Sequence, residues 1–523
     1  MNKKTNLFIL PLLVLSLSSC SFINFSFFSN KTSTAKIDSF VSYKTPSYDS
    51  TAKTSNLTLR NISKSFGKSH LPSTGNSRIL VIPYEFTDAK FTYTDLAKIE
   101  NAFFGKSKDT GWESVSSFYN KSSYGKLNIS GEVTPKINSN MTVSQFEILD
   151  ANATRNNETL TDTILDQCLD LLVKNGMDLS SYDSDNDGYI DAVWIVYSAD
   201  YNQDSDSLWA YTTWTYSEKK HSNLYSSCYA WASVKFLNEY NYGVGTKSGD
   251  AHTFIHETGH MLGLDDYYSY DYDGLKNYDT PLGGVDMMDF NIVDHNSYSK
   301  YLLGWITPTL ITEDYLNANN NVLTLSSLVE SGKAFLLPAY KDGSIAYNGT
   351  PFDEYLLLEY YTPTNLNEND SLKKYTNGLQ GYNSRGLLVY HVNSTVGKVV
   401  AKNGDIVWNG EAYDKLPDYN REWGNSYAFS ILFSNSNSYS YTYLDDSKSN
   451  FYRTRLISLL PAIGYKIEGK KTGYSGNSSL FKKNVSFKSV YDNFVFDDGS
   501  NIQFNFEMTS SSSNDCSIKF TKI

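Results

Sequence analysis

The feature that most constrains the fold of this 523-residue chain is the run His256-Glu257-Thr258-Gly259-His260, which sets two of only seven histidines four positions apart. On an α-helix such a pair projects from one face, one turn apart, so both imidazoles can reach a single zinc ion. Glu257 would then lie beside the metal without binding it. The run therefore predicts a helix with two zinc ligands and Glu257 placed to accept a proton from water.

A third protein ligand is required, and the residues after the histidines indicate its source. One known solution is a glutamate on a second helix, but no Glu occurs between Glu257 and Glu313. Gly263 can end the helix with a positive φ angle and reverse the chain, which would bring Asp266 to the metal. Asp265 is the rival ligand, although the spacing favours Asp266.

His252 precedes His256 by one helical turn and lies on the same predicted face. An additional histidine there more often packs near a metal site or orients its ligands than binds the metal. We therefore predict a site of two histidines and one aspartate with one open position, and we leave His252 outside the ligand set.

A second metal signal is a loop with carboxylates at positions 1, 3, 5 and 9 of a calcium-binding pattern. The four residues are Asp183, Asp185, Asp187 and Asp191. Gly188 stands where the sharp turn is needed, and these oxygen ligands suit Ca²⁺. Position 12, which is a bidentate glutamate in an EF-hand, is Trp194, so the loop is EF-like only and leads into a strand. The alternative is a solvated acidic turn; for Asp271 and Asp273 that simpler interpretation is preferred.

The N-terminus has the pattern of an export signal. Two lysines precede an apolar run, residues 7–17, that is much shorter than the about 20 residues needed to cross a bilayer. The run ends in Leu17-Ser18-Ser19-Cys20, which resembles the lipobox of bacterial lipoproteins. We interpret residues 1–19 as a lipoprotein signal peptide and Cys20 as the lipidation site; an ordinary secretion signal is the alternative. The predicted location is the extracellular face of a bacterial cell membrane, contacted through the lipid anchor alone.

Charge and cysteine content exclude other classes of protein. The chain has 45 basic and 57 acidic residues and a net charge of −12, so nucleic acid is not an expected partner. Four cysteines are too few for a disulfide scaffold or a thiolate metal cluster in a chain of this length. The three besides Cys20 are expected to be buried thiols, and any metal must be held by His, Asp or Glu.

The pattern of apolar residues divides the chain into segments. Residues 20–74, rich in Ser, Thr, Asn and Lys, are predicted to be a lipid-anchored tether or a short pro-segment. Residues 75–312 combine predicted strands and helices, and residues 313–523 show short strands with turn signals. The predicted strands are 78–84, 127–133, 192–197, 322–328, 335–340, 355–361, 387–392, 485–490, 502–508 and 517–523; the predicted helices are 96–104 and 160–172. The expected fold class is α+β, a mixed sheet with helices followed by an all-β region of one or two modules, built as a β-sandwich.

Several motifs around the histidine run resemble one known family, the immune inhibitor A type of metallopeptidases among the metzincin-like zinc proteases. They are Arg78 to Asp88, Ser123-Tyr-Gly-Lys-Leu127, the run from His256 to Asp266, Val285-Asp-Met-Met-Asp289 and Leu303-Gly-Trp-Ile306. The resemblance implies a metzincin-like zinc peptidase domain with an active-site helix, and Met288 as the methionine of its Met-turn, an apolar floor under the zinc. Such enzymes often have a tyrosine two residues later to stabilise the oxyanion. That position is Phe290, so the role is unassigned, with Tyr267, Tyr268 and Tyr298 as candidates.

These patterns together predict a secreted, lipid-anchored zinc endopeptidase that hydrolyses extracellular proteins or peptides, with Glu257 as general base and acid. The predicted cofactors are catalytic Zn²⁺ and structural Ca²⁺. One alternative is a surface adhesin or glycan-binding lipoprotein with a vestigial protease fold, but such a protein would be expected to have lost Glu257 first. A zinc exopeptidase is the other alternative, and it needs a charged group for the substrate terminus that the sequence does not identify.

Overall fold

The computed structural model describes most of the chain from residue 69 onwards. The described residues are 40–42, 58–60, 69–202, 206–238, 249–268, 281–374, 379–394, 456–464, 474–496 and 499–523, with short strands at Ile23–Phe25, Ser33–Ala35, Ser440–Thr442 and Tyr452–Thr454. The predictions for residues 1–19, Cys20, Asp271 and Asp273 lie outside this set. Of the helices within it, none is both long and apolar enough to cross a membrane.

The first part of the chain is built on one mixed sheet. Its strands are β1 (Gly75–Glu85), β2 (Leu127–Val133), β3 (Val193–Tyr197), β4 (Tyr211–Trp214) and β5 (Cys228–Ser233). They lie in the order β2-β1-β3-β5-β4; the first four are parallel, and β4 runs antiparallel at the edge. The short strand Ile137–Asn138 also pairs with β1.

Helices cover both faces of this sheet because parallel strands need crossover connections. They are α1 (Tyr93–Phe104), α2 (Val115–Ser122), α3 (Val143–Thr154) and α4 (Leu160–Lys174). Alternate residues of each central strand face opposite sides. Trp194 of β3 therefore enters the core shared with α1 and α2, whereas Ile195 enters the core shared with α3 and α4.

Three further helices carry the candidate site. They are α5 (His252–Met261), α6 (Met287–Phe290) and α7 (Ser297–Leu302). Core side chains fix α5 from two directions: the Tyr119 hydroxyl donates to the Ile255 carbonyl oxygen at 2.6 Å, and the Trp194 indole N–H donates to Thr258 Oγ1 at 3.3 Å. The position of α5 is thus set by the sheet and by α2.

The C-terminal part consists mostly of antiparallel strands. They are β6 (Thr309–Leu310), β7 (Val322–Ser326), β8 (Phe335–Lys341), β9 (Glu354–Tyr361), β10 (Gly386–Asn393), β11 (Ile457–Leu459), β12 (Phe504–Ser511) and β13 (Asp515–Lys522). One sheet has the order β6-β8-β9-β10-β11, with only the β6–β8 pair parallel, and a second has the order β7-β13-β12. Short elements complete the described structure: helices Ser107–Thr110, Ser180–Tyr182, Asp206–Leu208, Val234–Asn238, Glu313–Ala318, Leu328–Ser331, Asn365–Asn367, Glu368–Leu372, Asn477–Ser479 and Phe487–Val490, and strands Val41–Ser42, Glu158–Thr159, Lys220–His221, Leu224–Tyr225 and Ser344–Ala346.

The larger C-terminal sheet is buried on both faces. Leu356 and Leu358 of β9 share a core with Phe506 of β12, in the smaller sheet. Tyr355 and Leu357, on the opposite face of β9, belong to the same core as α1, α2 and α5. This second face therefore packs against the part of the molecule that carries the histidine helix.

The structure refines several sequence predictions and overturns one. The first part is mixed α/β, because its helices connect parallel strands, and the later part has mostly antiparallel strands. The predicted strand at 485–490 is wrong, since Phe487–Val490 is a short helix. Ser486 caps it by accepting the Ser489 N–H, and the ring of Phe487 stacks on Phe506 at 4.9 Å. Apolar and polar residues alternate at 485–490, as they would in a strand, but a short helix buries Phe487 equally well. As expected, the three described cysteines are buried, and no disulfide joins any two of them; they are Cys168, Cys228 and Cys516.

Candidate metal centre and active site

The structure brings His256, His260 and Asp266 together at the end of α5. The two Nε2 atoms lie 3.1 Å apart, and Asp266 Oδ1 lies 2.8 Å from His256 Nε2 and 3.4 Å from His260 Nε2. All three residues are buried, and their candidate ligand atoms lie within 4.8 Å of one another. Two imidazole nitrogens and one carboxylate oxygen are a donor set that suits zinc.

Backbone carbonyl groups orient both histidines. His256 Nδ1 donates to the Met287 oxygen at 2.8 Å, and His260 Nδ1 donates to the Leu264 oxygen at 2.7 Å. A carbonyl oxygen only accepts, so each Nδ1 carries a proton and each Nε2 is left to bind a metal. The orientation of the rings therefore comes from the chain on either side of the site.

The charges of the three side chains are mutually dependent. Burial alone would lower the pKa of His256, but the facing Asp266 carboxylate raises that pKa to about 9. Burial would raise the pKa of Asp266, but His260 and His256 hold it well below its usual value. Asp266 is thus an anion despite its burial, as a carboxylate ligand must be.

Gly263 reverses the chain after α5, as the sequence predicts. Its φ angle is +97°, in the left-handed region that favours glycine. The Leu264 N–H donates to the Gly259 oxygen at 3.0 Å and the Gly263 N–H to the His260 oxygen at 2.8 Å, a Schellman motif. A Cβ atom at Gly263 would lie 2.6 Å from a methyl carbon of Leu59. The φ angle therefore favours glycine at this reversal, and any larger residue would also have to displace the Leu59 side chain.

Asp265 does not join the histidines. It is 6% exposed, and burial together with the neighbouring Asp266 raises the pKa of Asp265 well above its usual value. The chain reversal at Gly263 instead places Asp266, the residue after Asp265, next to the His256 and His260 nitrogens. The two adjacent aspartates are thus clearly distinguished by geometry.

Met288 packs directly under α5. A Cβ atom at Gly259 would lie only 2.5 Å from the Met288 sulfur, so the absence of a side chain at Gly259 allows this close contact. Asp286 Oδ1 accepts the Met288 N–H at 2.8 Å, and the Met288 oxygen accepts the Tyr267 N–H at 2.7 Å. The turn that contains Met288 is therefore joined both to α5 and to the segment that follows Asp266.

Glu257 lies in the same site and contacts the edge strand of the sheet. Thr212 Oγ1, on β4, donates to Glu257 Oε2 at 3.0 Å and is 2.8 Å from the Glu257 carbonyl oxygen. Burial raises the pKa of Glu257, and this rise is opposed by His260, His256 and the Thr212 hydroxyl. Thr212 lies outside all of the motifs recognised in the sequence.

The three candidate tyrosines differ in their surroundings. Tyr267 and Tyr298 are buried, and the Tyr267 hydroxyl is hydrogen-bonded to Ser299 Oγ at 2.7 Å. Tyr268 is partly exposed, and its ring centroid lies 6.0 Å from that of Phe290. Among these three candidates, only Tyr268 keeps part of its side chain exposed in the described structure.

His252 is held between two carboxylates. Its Nδ1 lies 2.5 Å from Asp250 Oδ1, its Nε2 lies 3.2 Å from Asp370 Oδ2, and its ring stacks on Trp112 at 4.0 Å. Burial would lower the pKa of His252, but Asp250 and Asp370 raise it to about 10. Asp370 also accepts the Val293 N–H at 2.7 Å. His252 therefore links the start of α5 to the C-terminal part.

Two more side chains of the C-terminal part reach the segment after α6. Glu359 Oε2 accepts the Ser297 N–H at 2.7 Å, and Asn367 Oδ1 accepts the Asp294 N–H at 3.0 Å. Both contacts join residues more than 60 positions apart. The backbone that follows the Met288 turn is thus held by the neighbouring sheet and its connections.

The acidic loop forms a second group of possible metal ligands. Asp183, Asp185 and Asp187 each offer an oxygen within 4.8 Å of the others. The Asp183 carboxylate accepts the N–H groups of Asp187 and Gly188, which closes the loop. The Arg60 guanidinium pairs with Asp185 and lies 3.6 Å from Asp187.

Asp191, the fourth predicted carboxylate, is placed differently. It is fully buried and accepts the Ser184 N–H at 3.0 Å and also the Ser184 hydroxyl. Burial raises the pKa of Asp191 to about 7. It lies outside the group of three and connects the two ends of the loop where the chain enters β3.

Residues 78–288 match a protein-family model described as immune inhibitor A peptidase M6, catalytic domain. The matched segment begins in β1, ends at Met288, and contains the histidine run, Asp266, Thr212 and the acidic loop. No curated protein matches the chain.

Proposed function

Since residues 78–288 belong to the immune inhibitor A peptidases of family M6, which are zinc metallopeptidases, we propose that this chain is an endopeptidase with His256, His260 and Asp266 as its zinc ligands. The observation that carries the proposal is the buried convergence of these three side chains at the end of α5. Glu257, on the same helix, is the proposed general base and acid.

The chemistry divides between the metal and the chain. When bound, zinc supplies Lewis-acid catalysis, lowering the pKa of water and polarising a carbonyl group. Glu257 accepts a proton from the attacking water and passes it to the leaving amine. Met288 gives the site an apolar floor through its contact with α5 at Gly259. By this account residues 75–312 are a metzincin-like peptidase domain whose Met-turn contains Met288, and residues 313–523 are a β-rich region with a sandwich architecture.

The proposed substrates are proteins or peptides, which the enzyme would cleave within the chain. An exopeptidase would instead need a charged group to hold a substrate terminus, and the sequence does not identify one.

Metal removal tests the proposed activity. Purified protein comprising residues 20–523 is expected to cleave casein, to lose that activity in 1,10-phenanthroline, and to regain it when zinc is added in excess. The non-chelating isomer 1,7-phenanthroline is the matched control and should leave cleavage unchanged. A zinc-loaded protein that cleaves neither casein nor a peptide library would instead support the adhesin alternative, and cleavage unaffected by chelation would exclude a metal mechanism.

We further propose that the acidic loop binds a structural Ca²⁺ through Asp183, Asp185 and Asp187, with Asp191 bracing the loop. Three carboxylates within 4.8 Å repel one another, and the pairing with Arg60 agrees with a need for positive charge there. A ligand that binds only the folded state raises the melting temperature, by an amount that grows with its concentration relative to its Kd.

Calcium is therefore expected to raise the melting temperature of the wild type, and the double substitution Asp185→Ala and Asp187→Ala should abolish this shift. Differential scanning fluorimetry with and without added calcium measures it. Asp314→Ala, an exposed acidic residue outside the loop, should keep the full shift. If the wild type melts at the same temperature in calcium and in EGTA, the loop is only a solvated acidic turn.

We also propose, from the N-terminal pattern, that residues 1–19 are a lipoprotein signal peptide and that Cys20 carries a lipid that holds the enzyme at the extracellular face of a bacterial cell membrane. Residues 20–74 are then a lipid-anchored tether or a short pro-segment. Two acyl chains give stable anchoring where one chain is marginal. Cys20→Ser is expected to release the protein into the medium or leave it unprocessed, as followed by membrane fractionation and gel mobility. A variant that fractionates and migrates like the wild type would show that Cys20 is not lipidated.

A further inference from the structure

We propose that Thr212 is a positioning residue for Glu257, fixing one carboxyl oxygen of the base so that the other is available for proton transfer. This inference rests on the proposed role of Glu257 and adds a residue that the motif does not contain.

The contact is buried and specific. Thr212 is 3% exposed, and its Oγ1 lies 3.0 Å from Glu257 Oε2 and 2.8 Å from the Glu257 carbonyl oxygen. Strand pairing fixes the backbone of Thr212, since this residue lies opposite Ala230 in the antiparallel β4–β5 pair. The β-branched side chain has restricted rotation about χ1, which limits where its hydroxyl can point. The hydroxyl is thus held in place by the sheet.

A threonine hydroxyl suits both protonation states of the base. It offers one donor and two acceptor lone pairs. While Glu257 is a carboxylate, the Thr212 O–H donates to Oε2 and leaves Oε1 to receive the proton from the attacking water. One O–H bond of water breaks and one forms on Oε1, and no bond of Thr212 changes. Oε2 is then the carbonyl oxygen of the neutral acid and still accepts from Thr212, so the same hydrogen bond persists through the transfer.

The carbonyl oxygen of Glu257 is a second acceptor for the Thr212 hydroxyl, so the hydroxyl can stay hydrogen-bonded to α5 in either protonation state of the Glu257 carboxyl. At 2.8 Å, the carbonyl oxygen of Glu257 can share the same O–H when the side chain rotates. Thr212 therefore joins β4 to the helix that carries Glu257 through both of these contacts.

The test compares Thr212→Val, which keeps the shape but removes the hydroxyl, with Thr212→Ser, which keeps the hydroxyl, in the full mature chain. Loss of a hydrogen bond to a charged group predicts a kcat lower by about 10-fold to 100-fold for the valine variant. Its KM should stay within about twofold, because the bond orients the base and does not bind substrate. The serine variant should restore kcat to within about threefold of the wild type. Zinc content per chain should be unchanged in both.

A second measurement does not depend on activity. Crystal structures of the metal-stripped proteins should show the Glu257 carboxyl hydrogen-bonded to the hydroxyl of residue 212 in the wild type and in Thr212→Ser. In Thr212→Val the carboxyl should be displaced from this position. Thr212→Ala provides the same comparison should the valine variant fail to fold. A valine variant with wild-type kcat, or a serine variant as slow as valine, overturns the inference. If either of these results is found while Glu257→Gln is inactive in the same assay, only the role of Thr212 is overturned. An active Glu257→Gln would overturn the proposed mechanism itself.

Discussion

Asp266→Ala is expected to yield a folded protein that has lost both its zinc and its peptidase activity. Asp266 supplies the single carboxylate of the proposed site, with Oδ1 2.8 Å from His256 Nε2. Two remaining protein ligands hold Zn²⁺ poorly, so His256→Ala and His260→Ala should behave in the same way. Zinc per chain by mass spectrometry, peptidase rate and circular dichroism, measured on one preparation, establish the loss of metal and the retention of fold.

Two neighbouring residues provide matched controls. Asp265→Ala removes the same type of side chain one position earlier and should keep zinc and activity. His252→Ala removes a histidine from the preceding turn and should also keep zinc, although losing its ion pairs with Asp250 and Asp370 should lower the melting temperature. If Asp265→Ala loses zinc while Asp266→Ala retains it, the ligand has been assigned to the wrong aspartate.

Glu257→Gln is expected to separate metal binding from catalysis. Glutamine preserves the shape of the side chain but cannot take up the proton, so peptide hydrolysis should fall by about 10²-fold to 10⁴-fold. Zinc content should remain that of the wild type, because Glu257 is not one of the three converging ligands. Steady-state kinetics on a fluorogenic peptide and metal analysis of the same sample test both statements.

The control for this substitution is Glu354→Gln, which changes a glutamate paired with His391 in the C-terminal sheet. It should leave both zinc content and peptide hydrolysis unchanged, since the pair lies outside the site. Hydrolysis at the wild-type rate by Glu257→Gln would mean that another group accepts the proton. Loss of zinc from Glu257→Gln would mean that this residue supports the metal directly.

The parts of the site that sequence reasoning recovers are those fixed by local geometry. The spacing of His256 and His260 determines that both project from one face of a helix. Gly263 permits one reversal at one position, and two hydrogen bonds within the same few residues then define the path to Asp266. None of these features needs knowledge of distant contacts. Continuous apolar runs predict β1 and β3 for the same reason.

The parts that were not predicted depend on contacts between residues far apart in the chain. Thr212 belongs to a four-residue edge strand whose sequence, Tyr-Thr-Thr-Trp, has no apolar run, and it meets Glu257 45 positions later. Asp370 meets His252 across 118 positions. A polar side chain on a short strand or helix carries no local signal of its partner, so such contacts form only when the elements pack together.

The misassigned segment at 485–490 illustrates the same limit. Alternating apolar and polar residues are compatible with a strand, yet the capping of the helix by Ser486 and the burial of Phe487 against Phe506 favour a single helical turn. Short segments are decided by their surroundings because their own pattern spans too few residues. The sequence also gives no clear signal for β5, because every residue of this strand is buried and no alternation of exposed and buried positions marks it.

A crystal structure of the zinc-loaded protein, with anomalous diffraction data collected on both sides of the zinc absorption edge, would test directly which side chains bind the metal. We expect one zinc peak in the site, about 2.0–2.2 Å from His256 Nε2, His260 Nε2 and a carboxylate oxygen of Asp266. Glu257 should lie beside the metal without coordinating it. A peak coordinated by Asp265 in place of Asp266, or by Glu257, or no peak between the two histidines, would contradict this assignment of the ligands.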